Sequence, residues 1–135
     1  MCGEYGLGMM AFSPLAVGLL TGRFRRGQEP PRNTVWGAGE LRGLSPGKAD
    51  LKQAMTKRVD RIVQTVIEIG AKHDKTPAQV AVAWVLDHPE VSAVVFGPDE
   101  PEHVDEIFGA PGFTLDGEDR TLLDKVSAVE IPRAY

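Results

Sequence analysis

Between Ala78 and Leu86 the chain carries one polar side chain, Gln79, among Ala78, Val80, Ala81, Val82, Ala83, Trp84, Val85 and Leu86. Thr76-Pro77 stands just ahead and reads as an N-cap with proline at the first helical position, where a missing N–H costs nothing. The pattern predicts a helix from Pro77 to about Asp87 that is apolar on most of its circumference. Such a helix must be covered on nearly all sides.

The flanking segments say what covers it. Upstream, Val59, Ile62, Val63, Val66, Ile67 and Gly70 repeat at helical spacing within a helical stretch that begins near Asp50. Arg58, Asp60, Arg61, Gln64 and Glu68 fall on its wet side. Downstream, His88-Pro89-Glu90 is a turn, and Val91 to Phe96 is a β-branched run that stops at Gly97-Pro98. That run suits a strand buried on both faces in a parallel sheet. Leu7 to Phe12 is a second strand, buried and ended by Ser13-Pro14, since the residue before proline is pushed to extended geometry. A short helix is expected from Pro101 to Phe108 with Val104, Ile107 and Phe108 inward. A last one runs from about Asp116 to Val129 on Leu122, Leu123, Val126 and Val129, ahead of the tail Ile131 to Tyr135.

From Ser13 to Ala49 the chain has Gly18, Gly22, Gly27, Gly37, Gly39, Gly43 and Gly47, with Pro14, Pro30, Pro31 and Pro46. That punctuation reads as loop, the stretch 23–49 above all. A loop so long is unusual inside a compact domain and is usually functional or disordered. The order strand, loop, helix, helix, strand, helix, helix implies a parallel α/β arrangement with right-handed crossovers. Two parallel strands cannot close a sheet, and a full (β/α)8 barrel needs about 250 residues. The 135 residues are therefore read as a single partial domain.

Composition narrows the function classes. Lys plus Arg number 15 against 19 Asp plus Glu, a net charge of −4, which opposes nucleic-acid or anionic-membrane binding. A single cysteine, Cys2, permits no internal disulfide, and no Cys/His cluster has zinc-ligand spacing. The longest purely apolar run, Val80 to Leu86, is far short of a membrane span, and Met1 to Met10 lacks the basic start of a secretory signal. These features predict a soluble, cytoplasmic chain.

Two segments together resemble the C-terminal part of an aldo-keto reductase. The first is Met10-Ala-Phe-Ser-Pro-Leu-Ala-Val-Gly-Leu-Leu-Thr-Gly-Arg23, similar to the family's strand seven and following loop. The second joins Thr76 to Leu86 with Val94-Val-Phe-Gly-Pro98 and Pro101 to Glu106, similar to its last inter-strand helix, strand eight and the next helix. The likeness covers essentially the whole chain. It implies the last two or so β/α units of a TIM barrel, plus an extra C-terminal helix, from an enzyme that reduces carbonyls with NADP or NAD. By that resemblance Phe12 stacks on the nicotinamide ring. Ser13, Pro14, Leu15 and Gly18 lie along the pyrophosphate, with Leu20 of the same motif and Pro98 also among the cofactor-binding positions. Read without the resemblance, Ser13-Pro14 merely ends a strand and Gly18 and Gly22 merely turn the chain.

At the adenosine end the chain departs from the family. Gly97 is kept, but the positions of the usual Arg, Gln and Asn read Asp99, His103 and Ile107, with Glu106 retained. A carboxylate repels a 2′-phosphate, so Asp99 argues against NADP, and an Ile107 side chain offers adenine no hydrogen bond. Asp99 either accepts from a ribose 2′-OH, or together with Glu100 and Glu102 complements the positive end of the helix that starts near Pro101. Glu106 is as well read as a solvated helix residue, and His103 as a surface residue rather than a metal ligand.

The family's catalytic set of Asp, Tyr, Lys and His belongs to earlier strands. Tyr5 and Tyr135 have no matching context, and Lys48, Lys52, Lys57, Lys72, Lys75 and Lys125 lie on loops or helix surfaces. His73 and His88 fall at helix C-termini. Met1 would sit just before strand seven, in mid-domain, so a piece of a larger enzyme is expected, unable to catalyse alone. Its strand pair and Trp84 helix would lack partners, and the chain would self-associate through them. Two other readings stand: a non-catalytic remnant or regulatory partner that completes a barrel with another chain, and a helix-turn-helix DNA module over Ile69 to Val80. The latter offers only Gln79 as a base-reading group.

Overall fold

The computed structural model describes residues 2–38 and 50–129. Residues 39–49, with Gly39, Gly43, Gly47, Pro46 and Lys48, and the expected tail with Tyr135, lie outside the described residues. In chain order the elements are a 3-10 turn Gly3–Tyr5, strand β1 Met9–Phe12, a 3-10 turn Leu19–Thr21, and helices α1 Val35–Ala38, α2 Leu51–Ala54, α3 Lys57–His73 and α4 Pro77–Leu86. Strand β2 Val91–Val95 and helices α5 Pro101–Phe108 and α6 Gly117–Ser127 complete them. The fold is mixed α/β.

The longer helices form where their caps and stripes predict them, whereas the four-residue α1 falls inside the stretch 23–49 that reads as loop. The Thr76 hydroxyl accepts from the Gln79 N–H at 3.2 Å while Gln79 Oε1 accepts from the Thr76 N–H at 3.1 Å, a reciprocal cap over Pro77 at the helix start. Ala78 and Val80 to Ala83 are buried, so α4 is enclosed by its neighbours. In α3 the stripe Val63, Val66, Ile69 and Gly70 faces inward. The helical stretch expected from Asp50 is broken, however. Asp50 caps the four-residue α2, and Thr56 starts α3 afresh with its hydroxyl on the Val59 N–H. The final helix ends at Ser127.

Strands β1 and β2 pair in parallel, Met10 with Ala93, Ala11 with Val94 and Phe12 with Val95, after a bulge at Met9. Four expectations about burial are corrected here. Neither strand is buried on both faces. One face packs through Val94 and Phe96 on Ala78, Val82, Ile107 and Ala110. On the other, Met10 is 72% and Phe12 67% exposed, because no described element crosses it. Phe108, expected inward, is 71% exposed; the inward place at that end of α5 belongs to Ile107, one position earlier. Leu122 and Val129 are likewise exposed, and Leu123 with Val126 carries the contact of α6. The Trp84 helix does not lack partners. Trp84 packs on the cluster of Val66, Ile69, Val80 and Leu123 and donates its indole N–H to Asp124 at 2.8 Å. Among the described residues no helix is long and apolar enough to cross a membrane.

Candidate functional site

Because the two strands run parallel, their C-terminal ends finish side by side. The Ser13 N–H donates to the Val95 carbonyl at 3.1 Å, which fixes the turn after β1 beside Phe96-Gly97 after β2. The sheet pairing thus brings Phe12, Ser13 and Gly97 to one edge, from positions more than eighty residues apart.

The turn after β1 has an unusual backbone. Ser13, Ala16 and Val17 take φ of 55°, 49° and 57°, followed by Gly18 at 82°. Left-handed geometry is routine for glycine but a genuine outlier for a β-branched valine. Such residues cost on the order of 1–3 kcal/mol each and persist only where the surroundings over-determine them. Local bonds do part of this: Ala16 N–H to the Ser13 carbonyl at 3.0 Å, Leu20 N–H to the Leu15 carbonyl at 3.2 Å, and the Thr21 hydroxyl to the Gly18 carbonyl at 2.8 Å. Pro14 is buried, and Leu15 and Leu20 each pack on two hydrophobic clusters, Leu20 on the one that contains Trp36. The N–H groups of Leu15, Val17 and Gly18 have no acceptor among the described residues. Successive backbone N–H groups in left-handed turns are a recurrent anion-binding device.

Longer contacts hold this segment to the helices. The Trp36 indole N–H donates to the Val17 carbonyl at 2.9 Å. Arg25 donates through Nε to Asp60 at 2.9 Å and through Nη1 to Gln64 at 2.9 Å, and the Arg26 N–H donates a second bond to Asp60 at 3.2 Å. The Arg25 guanidinium and then the Arg26 N–H hold the Asp60 carboxyl below its usual range. Neither Trp36 nor Asp60 stands out in the sequence as a site residue. The available signal for Trp36 is a large aromatic inside a Gly- and Pro-rich stretch, which has to find a buried berth somewhere.

At the β2 end, Gly97, Pro98 and Asp99 are all exposed. His103 and Glu106 are half-buried on α5. No hydrogen bond or ion pair among the described residues joins Asp99, His103 or the Glu106 carboxylate to the turn Ser13–Gly22. The Glu106 carbonyl accepts from Gln79 Nε2 at 2.8 Å. Ile107, at the position of the family's Asn, is 5% exposed and belongs to the core. Gln79, the one base-reading candidate of the helix-turn-helix reading, is thus spent on the cap and on α5, and α4 has no open polar face for a groove.

A second cluster lies away from the strand ends. His73, Asp116 and Asp119 bring ligand-type atoms within 4.8 Å of one another. Lys72 Nζ already sits 2.8 Å from Asp116 Oδ2 and 3.0 Å from Asp119 Oδ2, and His73 Nε2 is 2.6 Å from Asp119 Oδ2. The carboxylates are committed to side-chain partners, so the cluster ties the end of α3 to the start of α6. Lys72 first, then the Asp119 N–H, lowers the Asp116 carboxyl to about 2, and Asp116 in turn raises Lys72.

Comparison with known proteins gives the family and the fold. The Aldo/keto reductase family matches residues 1–128. A putative voltage-gated potassium channel subunit beta of Schizosaccharomyces pombe is 34% identical over 129 residues, 93% of this chain and 34% of that protein. A chloroplastic pyridoxal reductase of Arabidopsis thaliana is 29% identical over 136 residues, 99% of this chain and 32% of that protein. The chain therefore spans about a third of the length of the curated relatives it matches. Among solved structures, a glycerol dehydrogenase from Gluconobacter oxydans superposes with a TM-score of 0.68 at 20% identity, over 99% of this chain and 39% of the other. The fold is accordingly that of a partial barrel.

Proposed function

Since the chain belongs to the aldo/keto reductase family, we propose that it forms the dinucleotide-gripping part of a barrel that reduces carbonyl compounds to alcohols. The observation that carries this reading is the strand-end arrangement: a strained turn with three N–H groups that have no acceptor among the described residues, an exposed Phe12, and Gly97 on the same edge. Ligand sites of barrels lie at that end of the strands. The residues present fit a nicotinamide dinucleotide there. Leu15, Val17 and Gly18 have N–H groups for phosphate oxygens, and Phe12 offers an open aromatic face for a flat ring. When bound, the cofactor would supply the hydride. Ser13 fixes the approach of the turn to β2, Leu15 and Leu20 seat it on the helices beside the buried Pro14, and Gly97 and Pro98 leave the far side open.

Asp99 favours NAD over NADP, because an exposed carboxylate with no counter-cation among the described residues opposes the 2′-phosphate. The proton donor of the full reaction is proposed to come from barrel strands other than these two. A second reading, a non-catalytic partner that completes a barrel with another chain, is favoured by the buried Ile107, which gives adenine no contact. A titration read by tryptophan fluorescence separates the two. Saturable quenching by NADH or NADPH supports the dinucleotide site, and flat curves with both leave the non-catalytic reading.

A further inference from the structure

We infer that Trp36 is a positioning residue for the turn after β1, and this inference rests on the dinucleotide-binding reading above. Two hydrogen bonds, among the described residues, join Ser13–Gly18 to parts of the chain outside the turn and the 3-10 turn that follows it. One is Ser13 N–H to Val95, at the entrance. The other is Trp36 Nε1–H to the Val17 carbonyl at 2.9 Å, at the exit. Everything between is local, and it includes three non-glycine residues in left-handed backbone.

The Trp36 ring is 9% exposed and belongs to the cluster of Leu19, Phe24, Leu51, Met55 and Val63. Its berth is therefore fixed by α2 and α3, and its one polar atom, a donor only, is spent on the turn. Engaging the Val17 carbonyl fixes the peptide plane shared with Gly18, so it also fixes the direction of the Gly18 N–H. The Val17 N–H belongs to the preceding peptide, across the Val17 Cα. A donor set for an anion is useful only when its N–H groups are held in place before the anion arrives, which is what an immobile indole anchored in the core supplies.

The test compares the wild-type chain with Trp36→Phe, which keeps an apolar ring and deletes the N–H. Calorimetric titrations with NADH, NADPH and inorganic pyrophosphate give the affinities, and a thermal melt gives the stability. The variant is expected to bind about tenfold more weakly, which is about 1.4 kcal/mol, while its melt stays cooperative. In the wild-type, pyrophosphate is expected to shift the indole N–H resonance of Trp36 and leave that of Trp84 unmoved. If Trp36→Phe does not fold, 3-benzothienylalanine at position 36 keeps the bicyclic shape without the N–H, and its affinities decide. Equal affinities in wild-type and variant overturn the role of Trp36 and leave the dinucleotide site standing. Absence of binding by the wild-type chain overturns the site itself, and the role of Trp36 with it.

Discussion

The two faces of the β1–β2 sheet are made from the same short strands and have opposite fates. Toward α4 and α5, Val94 and Phe96 meet Ala78, Val82, Ile107 and Ala110 in a closed cluster. On the other side Met10 and Phe12 stand in the open, with Val95 exposed beside them. Both faces are apolar, so hydrophobicity did not decide between them. The helices connected to these strands can reach one side only. Stability therefore resides in the helical side, and the open side carries the ring proposed to meet the cofactor.

Substitutions sharpen this contrast. The largest expected effect is at Ile107, where truncation to alanine empties a core position and should cost about 2–5 kcal/mol. Phe12→Ala across the sheet should stay within about 0.5 kcal/mol. Urea unfolding of the two variants checks the pair, and comparable losses would erase the distinction between the faces. Next comes Gly70→Ala, behind the covered side. A Cβ there would lie 2.5 Å from the Lys75 carbonyl oxygen, so the turn into α4 must shift. A loss of about 1–3 kcal/mol in the same assay is expected.

Acid should act on the helical side as well. The carboxyl of Asp116 titrates at about 2 in the folded chain against an ordinary 3.8, chiefly because of Lys72. The folded value is the lower one, so the contribution is complete above about pH 4. It is lost as pH falls through 2. Lys72→Met should flatten that acid limb, seen as a smaller drop in urea midpoint from pH 5 to pH 2.5. On the open side, the paired change Met10→Ser and Phe12→Ser should move a self-associated wild-type toward monomer on sizing, with stability altered by less than about 1 kcal/mol. A wild-type already monomeric at high concentration would break the idea that this face seeks a partner. The smallest effect belongs to the exposed Asp99. Its change to alanine should leave the melt unmoved and improve NADPH affinity relative to NADH about two- to fivefold, as expected for one screened charge.

The parts legible in the sequence are those whose causes are local. Thr76-Pro77 announces the start of α4, and the spacing of Val63, Val66, Ile69 and Gly70 announces the buried side of α3. Parallel pairing follows from the order of the elements, and it brings Phe12-Ser13 to Gly97 as the family likeness implies. Where several apolar residues adjoin, as at Ile107-Phe108 and Leu122-Leu123, sequence pattern alone misassigns which one is inside. A rotation of about 100° per residue separates neighbours on a helix, and only the packed partner decides the phase.

For this protein the sequence by itself determined α4 with its cap, the buried stripe of α3, the two strands and the family to which they belong, since each is written in contiguous residues. Tertiary structure decided that one sheet face stays open, that the Trp36 indole reaches the Val17 carbonyl, that Asp60 binds Arg25 and that His73 meets Asp119. Those last three bonds span 19, 35 and 46 residues. Contacts of that reach depend on where the folded chain returns, and no local propensity encodes them.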